Sequence, residues 1–271
     1  VTNIGEVQNQ GVEVTLNTLN GYLGYFMWNT NITYAYNKNE VISIGSEGIT
    51  QDIGNGLFVG HPLQINYDYD WEGIWQLDEA EEAAKYGMEP GEIKIVDQNE
   101  DGEISSDDDR VILGSRQPDW TMGMINSFNY QNFDLSFMVY TSQGVQFRNN
   151  MLRGTMGDIG RGRYNALALN YWMPDNPTNN YYHPGGRPPY RRQSIVYQDA
   201  SFVRVKDITL GYTFSNSQID KLKMQALRIY AQVLNPFVFH DFDGMDPEFN
   251  SGTYNDGVPS ATYLFGIKCT F

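Results

Sequence analysis

Seven stretches of this chain carry large apolar residues at every second position, and the segments between them alternate between short and long. A period of two gives each strand one apolar face and one polar face. In an antiparallel meander, connections of like length fall at the same end, so the tight turns gather at one end of the sheet and the long loops at the other. That asymmetry predicts an all-β fold, an antiparallel transmembrane β-barrel crossing the membrane with strands apolar on their outer face only.

The alternation is clearest from Tyr263 to Phe271, where Tyr263, Phe265, Ile267, Cys269 and Phe271 alternate with Leu264, Gly266, Lys268 and Thr270. It recurs in Val12, Val14 and Leu16; in Phe26, Trp28, Ile32 and Tyr34; in Trp120 to Tyr130; in Phe133 to Val139; and in Leu227 to Val233. From Phe202 to Phe214 the phase changes near Lys206 and Asp207, which predicts a β-bulge. Short connections fall at 20–24, 131–132 and roughly 215–225, and long ones at about 38–119, 145–200 and 236–262. On this pattern Phe265 and Ile267 face lipid, so Ile267→Arg is expected to cost roughly 2–4 kcal/mol near the bilayer midplane and Gly266→Ser far less. In the first long loop, Asp78 to Lys85 followed by Gly87 predicts a short helix capped by Asp78.

Composition closes off other classes. A formal net charge of −15 has the wrong sign for a phosphate backbone, so no nucleic acid is bound. A lone cysteine, Cys269, excludes a disulfide framework. Aromatic residues make up 14% of the chain, favouring strands. His61, His183 and His240 are scattered through predicted loops without metal or triad spacing, and no enzyme is read here.

The sharpest local pattern is Asp97-Gln98-Asn99-Glu100-Asp101-Gly102-Glu103-Ile104, running on to Asp108 at the twelfth place. Ca²⁺ wants several oxygens converging on a tight loop. This spacing offers the side chains of Asp97, Asn99, Asp101 and Asp108 and the Glu103 carbonyl, with Ser105 through water and Gly102 at the sharp turn. A structural Ca²⁺ is the expectation, although Asp108 stands where the template has a bidentate Glu and no paired long helices flank the loop.

Pro90-Gly91-Glu92-Ile93-Lys94-Ile95-Val96-Asp97, with Asn99, Asp101-Gly102 and Asp107-Asp108-Asp109-Arg110, resembles the external-loop signature of the SusC/RagA family of TonB-dependent transporters. Ala200 to Phe214 resembles that family's late strand, Leu234-Asn235-Pro236-Phe237 a strand end, Gly244 with Asp246-Pro247-Glu248 its last external loop, and Gly5 to Glu13 an earlier strand entry. The resemblance runs through the whole chain, in order. It implies that residues 1–271 are the carboxy-terminal part of a barrel of about 22 strands. It also implies a plug domain lying outside the chain, location in a Gram-negative outer membrane and import of oligosaccharides or peptides. The implied partners are a SusD-like surface lipoprotein acting as a lid, TonB reached through the missing amino-terminal part, and outer-membrane lipid.

Arg148, Arg153, Arg161, Arg163, Arg187, Arg191 and Arg192 give the second long loop a basic bias, read as solvated charge or as contact with an anion or a partner. Trp172, Tyr181, Tyr182 and Tyr190 could stack on sugar rings, although girdle and packing roles are commoner. The competing architecture is a secreted, Ca²⁺-binding β-sandwich for carbohydrate binding or adhesion. It requires short loops at both ends and a fully apolar inner face, and the segregated long loops and the polar second face, with its Asn, Thr, Ser and Gly, argue against it.

Overall fold

The computed structural model describes residues 5–45, 48–149, 152, 169–183, 194–220, 223–249 and 259–271. Seven strands form one sheet: β1 (Gly5–Leu23), β2 (Phe26–Ile44), β3 (Trp120–Tyr130), β4 (Phe133–Gln143), β5 (Phe202–Thr213), β6 (Ala226–His240) and β7 (Thr262–Thr270). Each pairs antiparallel with its sequence neighbour, in the order of the chain. The other sheets among the described residues have two strands each, too few to form the second layer of a sandwich.

The strands run farther than alternation indicated. β2 continues to Ile44, inside the segment read as the first long loop, and β6 passes through Pro236 to His240. Pro236 is accommodated because Val205 pairs with Phe237 and Asp207 with Leu234, leaving Asn235, at φ 49°, and Pro236 outside the paired register. The expected bulge is on the other side of the same irregularity, between Val205 and Asp207.

The short connections share one end of the sheet. Gly24 (φ 60°) turns the first hairpin and Gln131 (φ 51°) the second. The third carries α1 (Asn216–Ile219), whose entry is fixed by the Ser215 N–H donating to Gln218 Oε1 at 2.8 Å.

Register fixes the two faces. Phe265, Ala231, Leu210, Leu135, Phe128 and Trp28 follow one another across six strands as direct partners, so they share a face. Phe265 is 84% and Ile267 72% exposed on that face. The next row, Gly266, Tyr230, Gly211, Asp134, Asn129 and Met27, points to the opposite side. There Arg228 Nη2 reaches Asp134 Oδ2 at 2.5 Å, passing over Gly211, where a Cβ would occupy the space of both side chains. Gly266 is needed in the same way, because the ring of Tyr230 lies where its Cβ would be. Gly266→Ser, expected to cost far less than Ile267→Arg, therefore carries a packing cost that alternation does not show, because the added side chain must displace an aromatic ring. On the apolar face, Asn126 accepts from Trp28 Nε1 at 2.9 Å and from Thr30 Oγ1 at 2.7 Å, so that its carbonyl is satisfied within the sheet.

Candidate functional site

The long connections meet at the other end of the sheet and fold on one another. In the first, Ile65–Tyr69 pairs with Arg110–Ser115 and Trp71–Ile74 with Ile93–Ile95. The expected helix is present as α2 (Ala80–Lys85), preceded by a 3₁₀ turn, Leu77–Glu79. Its cap is not Asp78: the Gln76 N–H donates to the Glu79 carboxylate at 3.0 Å, which holds Glu79 below the usual carboxylate range. Gly87 (φ 66°) ends the helix.

The acidic loop leaves the Ile93–Ile95 strand. Asp97 Oδ2 accepts from the Gly102 N–H at 2.8 Å and from Tyr86 Oη at 3.4 Å, closing the turn that Gly102 (φ 85°) permits. Asn99 Oδ1 accepts from the Asp101 N–H at 3.2 Å, and Asp101 Oδ1 from the Glu103 N–H at 2.9 Å. Asp97, Asn99, Asp101 and Glu103 are thus wound into one turn. Asp108 lies apart, accepting from Ser105 Oγ at 3.0 Å. The residue that closes the loop is Asp109, which the spacing did not single out. It is 0% exposed, and its oxygens accept from the Gln98 N–H at 2.8 Å and the Ser105 N–H at 2.5 Å. Among the described residues, no three His, Cys, Asp or Glu side chains are gathered as a metal centre. Asp97 Oδ1 is nevertheless buried without a hydrogen-bond partner, leaving one anionic oxygen that the polypeptide does not satisfy.

A cleft of about 520 Å³ adjoins the loop, lined by Trp75, Tyr86, Glu82, Lys94, Asp97 and Glu100. Lys94 Nζ sits 4.7 Å from the Trp75 ring centre and 3.2 and 3.1 Å from Glu72 and Glu79. Burial alone would lower its pKa, but the two carboxylates carry it upward.

The first and second long loops share an apolar core. Tyr69, Ile74, Ile93, Ile95 and Ile104 from the first pack with Leu152, Trp172, Tyr181, Tyr182, Ile195 and Val196 from the second. Gly91, at φ 90°, lets Trp172 and His183 lie directly on the backbone. Trp172 Nε1 donates to Gln76 Oε1 at 2.9 Å. Trp172, Tyr181 and Tyr182 are 5%, 8% and 4% exposed, so they are core residues and offer no open ring face to a sugar. Arg153, Arg161, Arg163, Arg187, Arg191, Arg192 and Tyr190 lie outside the described residues. The third loop joins this lobe through Asp243, whose Oδ2 accepts from Tyr181 Oη at 2.7 Å and Gln198 Nε2 at 2.9 Å. Burial, then Asp243, raises the Tyr181 pKa.

The polar face of the sheet is engaged as well. Arg204 on β5 is 2% exposed and donates through Nη2 to both oxygens of Asp246 at 2.6 Å. Its Nε lies 3.0 Å from Glu248 but off the hydrogen-bond direction, so that contact is electrostatic only. Lys206 Nζ reaches both Glu248 oxygens at 2.5 and 2.6 Å. Two segments that stood out separately in the sequence therefore meet, and the bulge is what lets Arg204, Lys206 and Asp207 share the polar face while Val203, Val205, Ile208 and Leu210 share the apolar one.

No family model matches the sequence. Among curated proteins, the chain is 31% identical over 265 residues to TonB-dependent receptor P3 of Formosa agariphila, covering 92% of this chain and 26% of that protein. It is 30% identical to TonB-dependent receptor P26 of the same organism, covering 99% and 30%, and 26% identical to TonB-dependent receptor SusC of Bacteroides thetaiotaomicron, covering 99% and 27%. The chain belongs to the SusC/RagA family of TonB-dependent receptors.

It spans about a quarter to a third of the length of these relatives. Among solved structures, the RagAB peptide transporter superposes on 99% of the chain with a TM-score of 0.76 at 22% identity, so the meander is an arc of a TonB-dependent receptor barrel. In a SusC/RagA barrel the apolar face of the sheet is the outer wall and the polar face the lumen wall. Arg204, Lys206, Asp134 and Arg228 then line the lumen, and the co-folded loops stand beyond its mouth. The names of the relatives are those of receptors, and that of the solved neighbour is a transporter's.

Proposed function

We propose that this chain supplies a wall and the external mouth of an outer-membrane importer of oligosaccharides or peptides. It does so without a catalytic step. The observation that carries the reading is the division of one meander into an apolar outer face and a hydrogen-bonding inner face, with all three long loops assembled at one end. Such a wall gives a polar solute a hydrated path while the outer face satisfies lipid. The solved neighbour is a peptide transporter, which supports peptides among the solutes. A SusD-like lipoprotein closing the mouth and TonB acting through another part of the receptor complete the proposed machine. The test is uptake of labelled oligosaccharide and peptide panels by cells carrying the full-length receptor, with and without functional TonB. Accumulation unchanged by loss of the receptor would overturn the reading.

We also propose that the acidic loop holds one Ca²⁺ through Asp97, Asn99, Asp101, the Glu103 carbonyl and Asp108. The unpartnered Asp97 oxygen and the turn closed by the Gly102 N–H support it. The ion would be structural, clipping the middle of a long loop. Elemental analysis of the purified receptor should find one Ca²⁺ fewer in Asp101→Ala, and equal content would remove the ion from the account.

A further inference from the structure

The lumen-wall cations are held by a short segment of the third loop with two unequal ends. Phe242 is buried against Val145 and Ala200, Asp243 is bound by Tyr181 and Gln198, and Asp246 is bound by Arg204, with 2% and 3% of the two side chains exposed. Glu248 is the outermost tie: its N–H donates to Asp246 Oδ1 at 2.9 Å and its carboxylate also lies 3.0 Å from Arg204 Nε, but the carboxylate and Lys206 are 23% and 26% exposed, and the following Phe249 is 45% exposed. A charge pair as buried as Arg204 and Asp246 is costly to part, because each partner would be left desolvated. A quarter-exposed pair is screened by water and salt, and it parts easily.

We propose that residues 241–249 form a strap rooted at Phe242, Asp243 and Asp246, whose far end at Glu248 is a latch on Lys206 that a carboxylate-bearing solute can displace. The inference rests on the importer reading only in placing Lys206 at the lumen mouth. The chemistry follows from the pair itself. Lys206 Nζ is also 5.5 Å from the Tyr140 ring centre, so the ammonium stays aimed along the wall when Glu248 leaves. Its strong donor is then free for another anion. Asp246 is not exchangeable in this way, since its pair with Arg204 is buried and both of its oxygens accept from Nη2.

The experiment uses full-length receptor purified in detergent, with cysteines removed (Cys269→Ser included) and a single reporter at Phe249→Cys or Met245→Cys. Reactivity is read with a charged maleimide, so transport is not assayed and failure of the import reading would leave the result standing. Lys206→Gln should raise reactivity at position 249 roughly two- to fivefold, the population shift available from one partly exposed pair, and leave position 245 unchanged. Oligoglutamate and oligogalacturonate, each compared with NaCl at equal ionic strength, should raise position 249 in the native background and not in Lys206→Gln. Response to only one of the two assigns the carboxylate source as peptide or uronate. Reactivity at 249 unmoved by Lys206→Gln, or raised no more by the oligomers than by NaCl, would overturn the proposal. Equal rises at 245 and 249 in Lys206→Gln would also overturn it, because the root would then be the part that moves.

Discussion

Asp109 and Asp108 are neighbours in sequence with opposite expected roles, and their substitution separates the loop's fold from its proposed ion. Asp109 accepts two main-chain N–H groups from a fully buried position. Asp109→Ala leaves both donors unmet, at about 1–3 kcal/mol each. Partial rehydration of the loop lowers the sum, and roughly 2–5 kcal/mol of local stability should be lost whether or not Ca²⁺ is present. Asp109→Asn keeps one acceptor and should fall between. Asp108 contributes one exposed hydrogen bond with Ser105, so Asp108→Ala should change little in chelator and loosen the loop only when Ca²⁺ is supplied. Limited proteolysis of the intact receptor, reading cuts near Glu79 to Asp109 in chelator and in Ca²⁺, gives both comparisons. The reasoning fails if Asp109→Ala is cut like wild type in both conditions, or if Asp108→Ala loosens the loop in chelator as much as Asp109→Ala does.

Ile267→Arg on the apolar face should destabilise the assembled barrel by roughly 2–4 kcal/mol if it sits near midplane, whereas Gly266→Ser should also cost stability and regain it in a Tyr230→Ala background; heat-modifiability on gels reads both. Trp172→Ala should cost the outer lobe about 3–5 kcal/mol and leave barrel heat-modifiability unchanged, with a shared loss disproving the lobe's separateness. The Asp68 pKa is raised, first by burial and against the Tyr69 N–H, Arg148 and Arg110. Its contribution is therefore fully present below the ordinary carboxylate value and is lost as pH rises through the raised one. Asp68→Asn should make lobe protection against protease flatter as pH rises above the ordinary carboxylate value and greater at neutral pH, and an unchanged profile would refute the burial argument.

Strand existence and facing were legible because period-two alternation is a direct imprint of a wall with two different solvents. Strand ends were not, since Ile44 and His240 lie where pairing continues after the apolar pattern has lapsed. The bulge could be read from the phase change at Lys206 and Asp207, yet its purpose could not, because Asp246 and Glu248 arrive from forty residues away. Trp172, Tyr181 and Tyr182 carried no periodicity to mark them as core, and only contact with the first loop buries them. Asp109 escaped because the Ca²⁺ template assigns meaning to the twelfth place and none to the next. The pattern from Asp78 to Gly87 marks the helix but not its start, because a 3₁₀ turn capped at Gln76 precedes it and Glu79 stands at its N-cap.

The shared core of the two long loops bears on how the outer lobe comes into being and how it can be altered. Its halves, from Tyr69 to Ile104 and from Leu152 to Val196, are separated in the chain by the hairpin β3–β4. The first loop must wait, with Ile74, Ile93 and Ile95 uncovered, until that hairpin has delivered the second to the same side of the membrane. The lobe is thus a product of strand assembly, not a prefabricated module. Loop grafts between receptors should accordingly succeed only when both loops are transplanted together, each being the other's missing interior.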